Sequence, residues 1–263
     1  MREGAIEQSG RIAREDGVEL AWARLPGSGP LVVFLPGFNS DMSGSKATAL
    51  RDWCAGRDRG MLRLDYSGHG ASGGRFEDGS IGRWLADALL VIDRLTEGPM
   101  VLVGSSMGGW IALLIALRRR ARVVGLVGIA AAPDFTEGMI WDRLTAAEQA
   151  DLMATGRRIV PSQYGDPYVI TRGLIVDGRD HLLLGGPIAL DCPVRLLQGQ
   201  RDEDVPWRHV LDIAANLASE DVRVTLVKDG DHRLSRTSDI ALLCRTVAAL
   251  LDACGCGEES GEA

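Results

Sequence analysis

The strongest constraint on the fold lies in residues 100–117, whose sequence is MVLVGSSMGGWIALLIAL. Residues 100–104 form a short apolar run typical of a buried strand, and residues 107–117 are apolar on nearly every side, as expected of a buried helix. Ser106 lies between the two segments, with a glycine two residues before it and another two residues after it. The stretch therefore predicts a central strand that turns sharply into a buried helix, with a serine at the turn.

The pattern Gly-x-Ser-x-Gly, formed by Gly104, Ser106 and Gly108, is that of a nucleophile elbow. Such an elbow holds its serine in a strained backbone conformation, and larger side chains two positions away would collide. A serine that only caps a helix is the simpler alternative, but the two glycines and the flanking apolar segments favour a nucleophile at Ser106. Centring the pattern on Ser105 would require glycine at position 103, which is valine, so Ser105 is interpreted as a supporting residue.

Alternation of strands and helices extends over most of the chain. Apolar runs predict further strands at 31–35, 61–66, 123–130, 194–199 and 222–227, and a hairpin at 11–24. Helical periodicity predicts helices at 81–95, with Ser80 as N-cap, and at 209–217 and 240–251. This order predicts an α/β fold with a mostly parallel, doubly wound sheet of about eight strands. The 263 residues are expected to form a single domain.

A serine hydroxyl becomes a good nucleophile only when a base removes its proton. His232 follows the last predicted strand and precedes the last helix. In proteins with a nucleophile elbow of this kind, the triad runs Ser, Asp, His along the chain, which places the base at this position. His69, His181 and His209 are interpreted as surface or packing residues. His232 is therefore the predicted general base.

The base needs a carboxylate to orient it. Asp202 is the acid nearest the end of the strand at 194–199 and precedes a Val-Pro pair, so we predict that it is this carboxylate. Glu203 and Asp204 are close enough in sequence to remain alternatives.

Two backbone N–H groups are expected to form an oxyanion hole. One belongs to Met107, the residue after the nucleophile, and the other to the loop LPGFNSDMSGS after the strand at 31–35. Gly37 allows close approach of the backbone there, which makes the N–H of Phe38 the predicted second donor. An ordinary Pro-Gly turn is the alternative interpretation.

Residues 133–190 interrupt the alternation and contain helical stretches without a convincing core strand. We interpret them as a small helical cap inserted before the seventh strand. Apolar side chains of this segment are candidates for an acyl-binding pocket, with simple packing onto the sheet as the alternative; they are Phe135, Met139, Ile140, Trp141 and Leu144.

Gly68–Gly73 matches the dinucleotide fingerprint G-x-G-x-x-G, but the next helix begins only near Ile81 and no acid occupies the ribose position. We predict instead a turn beside the active site, and no cofactor. A net charge of −7 and a pI near 5.2 argue against nucleic-acid partners. No apolar run is long enough to span a membrane.

Five cysteines are expected to be reduced thiols. Cys254 and Cys256 lack further metal ligands nearby in sequence, so no metal is predicted, and the tail 254–263 is expected to be disordered. The first residues contain no apolar core of signal-peptide length, from which we predict a cytoplasmic location.

Five motifs resemble one known family. They are PGFNSDMSGSKA (36–47), DYSGHGASGG (65–74), GSSMGGW (104–110), CPVRLLQGQRDEDVPW (192–207) and DHR (231–233). They are similar, in the same order, to α/β-hydrolase proteins described as mitochondrial depalmitoylating thioesterases and acyl-glucuronide esterases. The resemblance implies that Ser106, Asp202 and His232 form the triad and that the substrate is an ester or thioester, either a small molecule or an acylated protein. The absence of a transit peptide keeps the expected location cytoplasmic.

The sequence thus predicts a serine hydrolase of the α/β-hydrolase fold that forms an acyl-enzyme. A catalytically inactive binding protein and a lyase on the same fold remain the alternatives. A haloalkane dehalogenase would require aspartate at position 106.

Overall fold

A computed structural model describes residues 6–160 and 167–255. The main-sheet strands are β1 (Gln8–Ala13), β2 (Glu19–Leu25), β3 (Ser28–Leu35), β4 (Arg59–Leu64), β5 (Met100–Ser105), β6 (Val123–Ile129), β9 (Val194–Gly199) and β10 (Val222–Val227). Their order in the sheet is β1-β2-β4-β3-β5-β6-β9-β10. The pairs β1–β2 and β2–β4 are antiparallel and the other pairs are parallel. The predicted eight-stranded, mostly parallel sheet is confirmed.

Helices cover both faces of this sheet. They are α1 (Ser45–Ala55), α2 (Ile81–Leu95), α3 (Met107–Arg118), α4 (Ala146–Thr155), α5 (Arg172–Arg179), α6 (His209–Asn216) and α7 (Thr237–Gly255). Strand β3 shows the two faces, since Val33 packs in the core cluster that contains residues of α2 and α3, whereas Val32 packs in the cluster of α1 and α7. Alternate side chains of a strand point to opposite faces, so β3 is buried on both sides.

Helix α2 begins and ends where the sequence predicts. The Ser80 hydroxyl accepts a hydrogen bond from the Arg83 backbone N–H at 3.3 Å, which satisfies one of the free donors of the first turn. Its apolar face buries Trp84 completely, and the Trp84 indole N–H donates to the carbonyl of Ser67. This contact fixes the loop after β4 against the helix.

The segment between β6 and β9 is not purely helical, so the prediction of a helical cap is wrong in part. A π-helical turn (Thr136–Ile140), a 3₁₀ turn (Trp141–Arg143), α4 and α5 are present, together with an antiparallel hairpin of β7 (Arg157–Val160) and β8 (Tyr168–Thr171). Leu152 and Ile170 pack in the same core cluster as residues of α2 and α3. We call residues 133–190 the cap segment; positions 161–166 lie outside the described residues.

The described cysteines, Cys54, Cys192, Cys244 and Cys254, are free thiols. Burial raises the pKa of Cys54 to about 12, so this thiol is unreactive at neutral pH. Helix α7 continues to Gly255, and the Cys254 thiol donates to the carbonyl of Val124 at 3.1 Å. The prediction of a disordered tail is therefore wrong for residues 254 and 255, which belong to α7. Cys256 and the residues after it lie outside the described residues.

Within the described part of the chain, no helix combines the length and the apolar character that crossing a bilayer requires.

Candidate active site

Ser106 occupies the sharp turn between β5 and α3. Its φ of 53° and ψ of −119° lie in a region that non-glycine residues rarely adopt. The Ser106 N–H donates to the carbonyl of Ile129 at 2.9 Å, and the Ser106 carbonyl accepts from the N–H groups of Gly109 and Ala132. These bonds hold the strained residue in place between β5, α3 and the loop after β6.

Backbone contacts explain both glycines of the elbow. A Cβ atom added to Gly104 would lie 2.2 Å from the carbonyl oxygen of Gly108, and one added to Gly108 would lie 2.1 Å from the carbonyl oxygen of Leu35. Real Cβ atoms do not approach backbone oxygens this closely, and backbone atoms cannot rotate away as a side chain can. The two glycines therefore allow α3 to start directly against β3 and β5.

Replacing Gly108 with alanine is expected to lower the free energy of unfolding by about 3 kcal/mol, the upper end of the usual cost of overpacking. Urea denaturation of the wild type and the variant measures this change. Gly138→Ala is the matched control, because an added Cβ at Gly138 meets nothing within 4 Å. Equal stability of the two variants would contradict the role assigned to Gly108.

Three side chains from distant parts of the sequence form one hydrogen-bonded chain. His232 Nε2 lies 3.1 Å from Ser106 Oγ, and His232 Nδ1 lies 2.8 Å from Asp202 Oδ2. A carboxylate only accepts hydrogen bonds, so the contact with Asp202 places a proton on Nδ1. The lone pair of Nε2 is then directed at the Ser106 hydroxyl, as a general base requires.

The Asp202 carboxylate is fully buried and surrounded by donors. Oδ1 accepts from the backbone N–H groups of Asp204 and Val205 at 3.0 and 2.8 Å, while Oδ2 accepts from His232 and from Gln198 Nε2 at 2.8 Å. A carboxylate offers about four acceptor sites, and all four are used here. These four contacts hold the carboxylate in one orientation.

Gln198 is a residue that the sequence analysis missed. Its side chain is completely buried at the end of β9, and its amide reaches Asp202 four positions later. Only the fold brings it to the carboxylate, so its sequence position carries no signal beyond a polar residue in an apolar strand.

The other acids and histidines considered from the sequence lie elsewhere. Glu203 is exposed, and Asp204 contacts Asp202 through its backbone N–H. The His209 ring bonds the carbonyl of Pro133, and His181 lies 3.8 Å from Asp177 in the cap segment. The partners of these two histidines are thus the Pro133 carbonyl and the Asp177 carboxylate, and not the Ser106 hydroxyl.

Among the described residues, one group has the spacing of a metal site, namely Asp202, Asp204 and His232. Two of its members are the acid and base just described. With every acceptor site of Asp202 engaged by N–H donors, the arrangement suits orientation of an imidazole better than metal ligation.

The loop after β3 lies against the elbow. A Cβ atom added to Gly37 would be 3.4 Å from Ser106 Cβ, so this backbone touches the candidate nucleophile. Phe38 and Met107 line the same cavity as Ser106 and His232. The two residues predicted to supply the oxyanion hole are therefore brought together with the candidate triad.

A cavity of about 530 Å³ opens beside Ser106 and His232. Much of its apolar wall is formed by Phe38, Phe135, Met139, Ile140, Leu144, Val160, Tyr168 and Ile170. Four of the five predicted pocket residues thus line it. Trp141 does not; its ring instead stacks against the Arg179 guanidinium at 4.6 Å. The hairpin residues Tyr168 and Ile170 were missed because the hairpin itself was not predicted.

Comparisons with known proteins agree with this architecture. Residues 28–172 match the hydrolase family described as serine aminopeptidase, S33. The chain is 40% identical over 245 residues to the mitochondrial palmitoyl-protein thioesterase ABHD10 of Rattus norvegicus. The matching region covers 92% of this chain and 82% of the rat protein. The chain belongs to the ABHD10 family of α/β hydrolases. It is accordingly a hydrolase.

Two solved structures extend the ABHD10 comparison to three dimensions. One, a protein from Agrobacterium vitis S4, has a TM-score of 0.89 and 41% identity, covering 95% of this chain and 100% of its own. The other, α/β hydrolase domain-containing protein 10 from mouse, has a TM-score of 0.87 and 38% identity, covering 94% of this chain and 99% of its own. The predicted α/β-hydrolase fold is confirmed.

The predicted cytoplasmic location is wrong, because the curated ABHD10 relatives of rat, cow and mouse are named mitochondrial proteins. The prediction was made from the first residues of this chain, and these residues are not evidence against the mitochondrial names of the relatives.

Proposed function

We propose that this chain hydrolyses long-chain acyl thioesters and esters through Ser106, His232 and Asp202. The observation that carries the proposal is the hydrogen-bonded chain from Asp202 through His232 to Ser106 Oγ, which ends in a cavity with an extensive apolar wall. Nucleophile, base and orienting acid stand in the order that acyl transfer requires.

In the first half of the reaction, Ser106 Oγ attacks the acyl carbonyl carbon while His232 Nε2 takes the hydroxyl proton. The electron pair of the carbonyl bond moves onto its oxygen, which accepts hydrogen bonds from the N–H groups of Phe38 and Met107. The tetrahedral adduct then collapses, the bond to the leaving sulfur or oxygen breaks, and His232 returns the proton to that atom. Asp202 stabilises the imidazolium throughout.

In the second half, water replaces the leaving group. His232 Nε2 takes a proton from the water as its oxygen attacks the acyl carbon. As the second adduct collapses, the bond between the acyl carbon and Ser106 Oγ breaks, His232 returns the proton to Oγ, and the carboxylic acid is released. Every step moves protons and electron pairs only between substrate, water and these side chains, so the proposed reaction needs no cofactor.

The cavity and the name of the relatives support the proposed substrate class. Phe38 packs edge-on against Phe135 and Tyr168, with ring centroids 5.7 and 5.5 Å apart, which joins the loop after β3 to the cap segment over the cavity. A volume of about 530 Å³ is within the range of ligand pockets, roughly 300–1,000 Å³. The relatives are named palmitoyl-protein thioesterases, which supports an acylated protein or a small acyl thioester as substrate. The cap segment is proposed to cover the acyl chain.

We expect kcat/KM to rise along a series of acyl thioesters from acetyl to palmitoyl until the cavity is filled. Each methylene taken from water contributes about 0.8 kcal/mol, or about fourfold in kcat/KM. Ile140→Trp, which fills part of the cavity, should remove the gain for long chains and spare acetyl thioester. Val176→Trp is the matched control, because Val176 is an exposed apolar residue of the same segment outside the cavity wall.

A flat or falling series would contradict an acyl-binding cavity. Saturable binding of the thioesters without any turnover would instead support the alternative of an inactive binding protein.

A further inference from the structure

His69, in the glycine-rich motif that the triad leaves unexplained, is only 4% exposed and touches the loop that carries Phe38. The Asn39 backbone N–H donates to His69 Nε2 at 3.3 Å, and His69 Nδ1 lies 3.2 Å from the carbonyl of Ser67. A carbonyl only accepts, so Nδ1 carries the proton and Nε2 is the acceptor. The neutral ring thus satisfies both of its partners.

The backbone that His69 contacts is held in an uncommon conformation. Asn39 has a φ of 52°, in the left-handed region, and the turn is closed by a hydrogen bond of 3.2 Å from the Ser40 N–H to the Gly37 carbonyl. Asn39 directly follows Phe38, so the acceptor on His69 acts on the peptide adjoining the predicted oxyanion donor. A strained turn persists only where its surroundings hold it.

Two further contacts tie the same loops together. The Asp65 carboxylate accepts from the N–H groups of Met42 and Ala71 at 2.7 and 2.8 Å. The His69 ring packs on Phe76 and Trp84 with centroids 5.1 Å away, and Phe38 packs on the same two rings at 4.8 and 5.8 Å. Displacing His69 would therefore shift Phe38 through its packing as well as through its backbone.

Burial favours the neutral form of the ring. It lowers the pKa of His69, and the hydrogen bond to the Ser67 carbonyl and the carboxylates of Asp87 and Asp41 offset only part of this effect. A protonated ring would turn a second N–H donor towards the N–H of Asn39, which would repel it.

We propose that His69 is a positioning residue that holds the Phe38 N–H at the oxyanion hole by accepting a hydrogen bond from Asn39. This inference rests on the proposed function. It assigns to the motif at 68–73 a part in catalysis, although the ring does not touch the reacting atoms.

The test compares His69→Phe, which keeps a ring but removes the acceptor, with His69→Gln, whose amide oxygen can accept from Asn39. We expect His69→Phe to lower kcat for a short acyl ester about 10- to 100-fold, less than complete loss of an oxyanion donor, with KM changed less than about twofold. His69→Gln should recover most of kcat. His181→Phe is the control, because His181 lies in the cap segment and contacts Asp177.

The inhibition constant of a trifluoromethyl ketone distinguishes loss of the oxyanion hole from a general loss of structure. The serine adduct of this ketone carries an oxyanion, so His69→Phe should weaken its inhibition by the same factor as it lowers kcat. Equal losses in His69→Phe and His69→Gln, or a loss confined to KM, would overturn the proposal.

If His69→Phe does not fold, ¹⁵N NMR of the wild-type imidazoles decides the question. A neutral ring protonated at Nδ1 is expected, and protonation at Nε2 would overturn the proposal. Failure of the proposed function is recognised separately, because the wild type would then show no turnover, or the Ser106→Ala variant would turn over substrate as fast as the wild type.

Discussion

Replacing either Ser106 or His232 with alanine is expected to lower kcat for an acyl thioester by about 10⁵- to 10⁶-fold, and replacing both should lower it little further. The hydroxyl and the imidazole, 3.1 Å apart, act as one unit in which neither group works without the other. Once one is removed, the second has no proton to transfer or no base to transfer it to. The residual rate then reflects substrate binding and the oxyanion hole alone.

Steady-state kinetics of the two single variants and the double variant measure this non-additivity. Ser235→Ala is the control, because Ser235 is only three residues from His232 and its hydroxyl donates to the backbone carbonyl of Arg233, outside the chain of contacts from Asp202 to Ser106. Losses that multiply in the double variant would mean that the two side chains act independently, against the proposed mechanism.

Asp202→Asn is expected to lower kcat by about 10⁴-fold while leaving the fold intact. An amide at this position presents N–H groups, which favour a proton on His232 Nε2 instead of Nδ1. That tautomer points a proton at the Ser106 hydroxyl and cannot act as base. The amide oxygen also cannot accept from all four donors that surround the carboxylate.

Glu203→Gln and Asp204→Asn complete this experiment, because both acids are alternatives from the sequence. Glu203 is exposed and its variant should retain activity within about threefold, as surface changes usually do. Circular dichroism of each variant checks folding. A loss in Asp204→Asn equal to that in Asp202→Asn would contradict the choice of Asp202 as the orienting acid.

The centre of the sheet could be predicted from sequence because its strands, such as β5, are buried on both faces. Runs such as residues 100–104 are apolar at every position, and this pattern separates them clearly from the amphipathic helix α2. Helix α1 escaped prediction for a physical reason. It follows Gly44, which has no side chain to cap it, and it buries only Ala47, Leu50 and Cys54. Neither a start signal nor a strong apolar face marks it.

The cap segment was harder to predict because its elements are short. Strands β7 and β8 have four residues each, and the burial pattern of β7 alternates only between half-buried and exposed positions. Such strands are stabilised mainly by the surface beneath them, which the sequence does not display. Trp141 illustrates the same limit, since an aromatic residue at helical spacing turned out to stack on Arg179 instead of lining the cavity.

The candidate site likewise contains some residues that local sequence patterns predict and others that they do not. Ser106, Asp202 and His232 each follow a strand end in a recognisable local pattern, so their meeting could be anticipated. Gln198 and His69 act through contacts with residues that only the fold brings near. No local pattern distinguishes Gln198 from an ordinary buried polar residue, and the glycine-rich motif around His69 predicts a turn beside the active site but no role for the ring.

The most direct test of the account is labelling of the purified protein with a fluorophosphonate, followed by mass spectrometry of its peptides. Such reagents react with a serine only when a neighbouring base has activated it. We predict a single phosphonylated residue, Ser106, and no label in the His232→Ala variant. Label on Ser105, or an unreactive wild type, would contradict the assignment of Ser106 as the nucleophile.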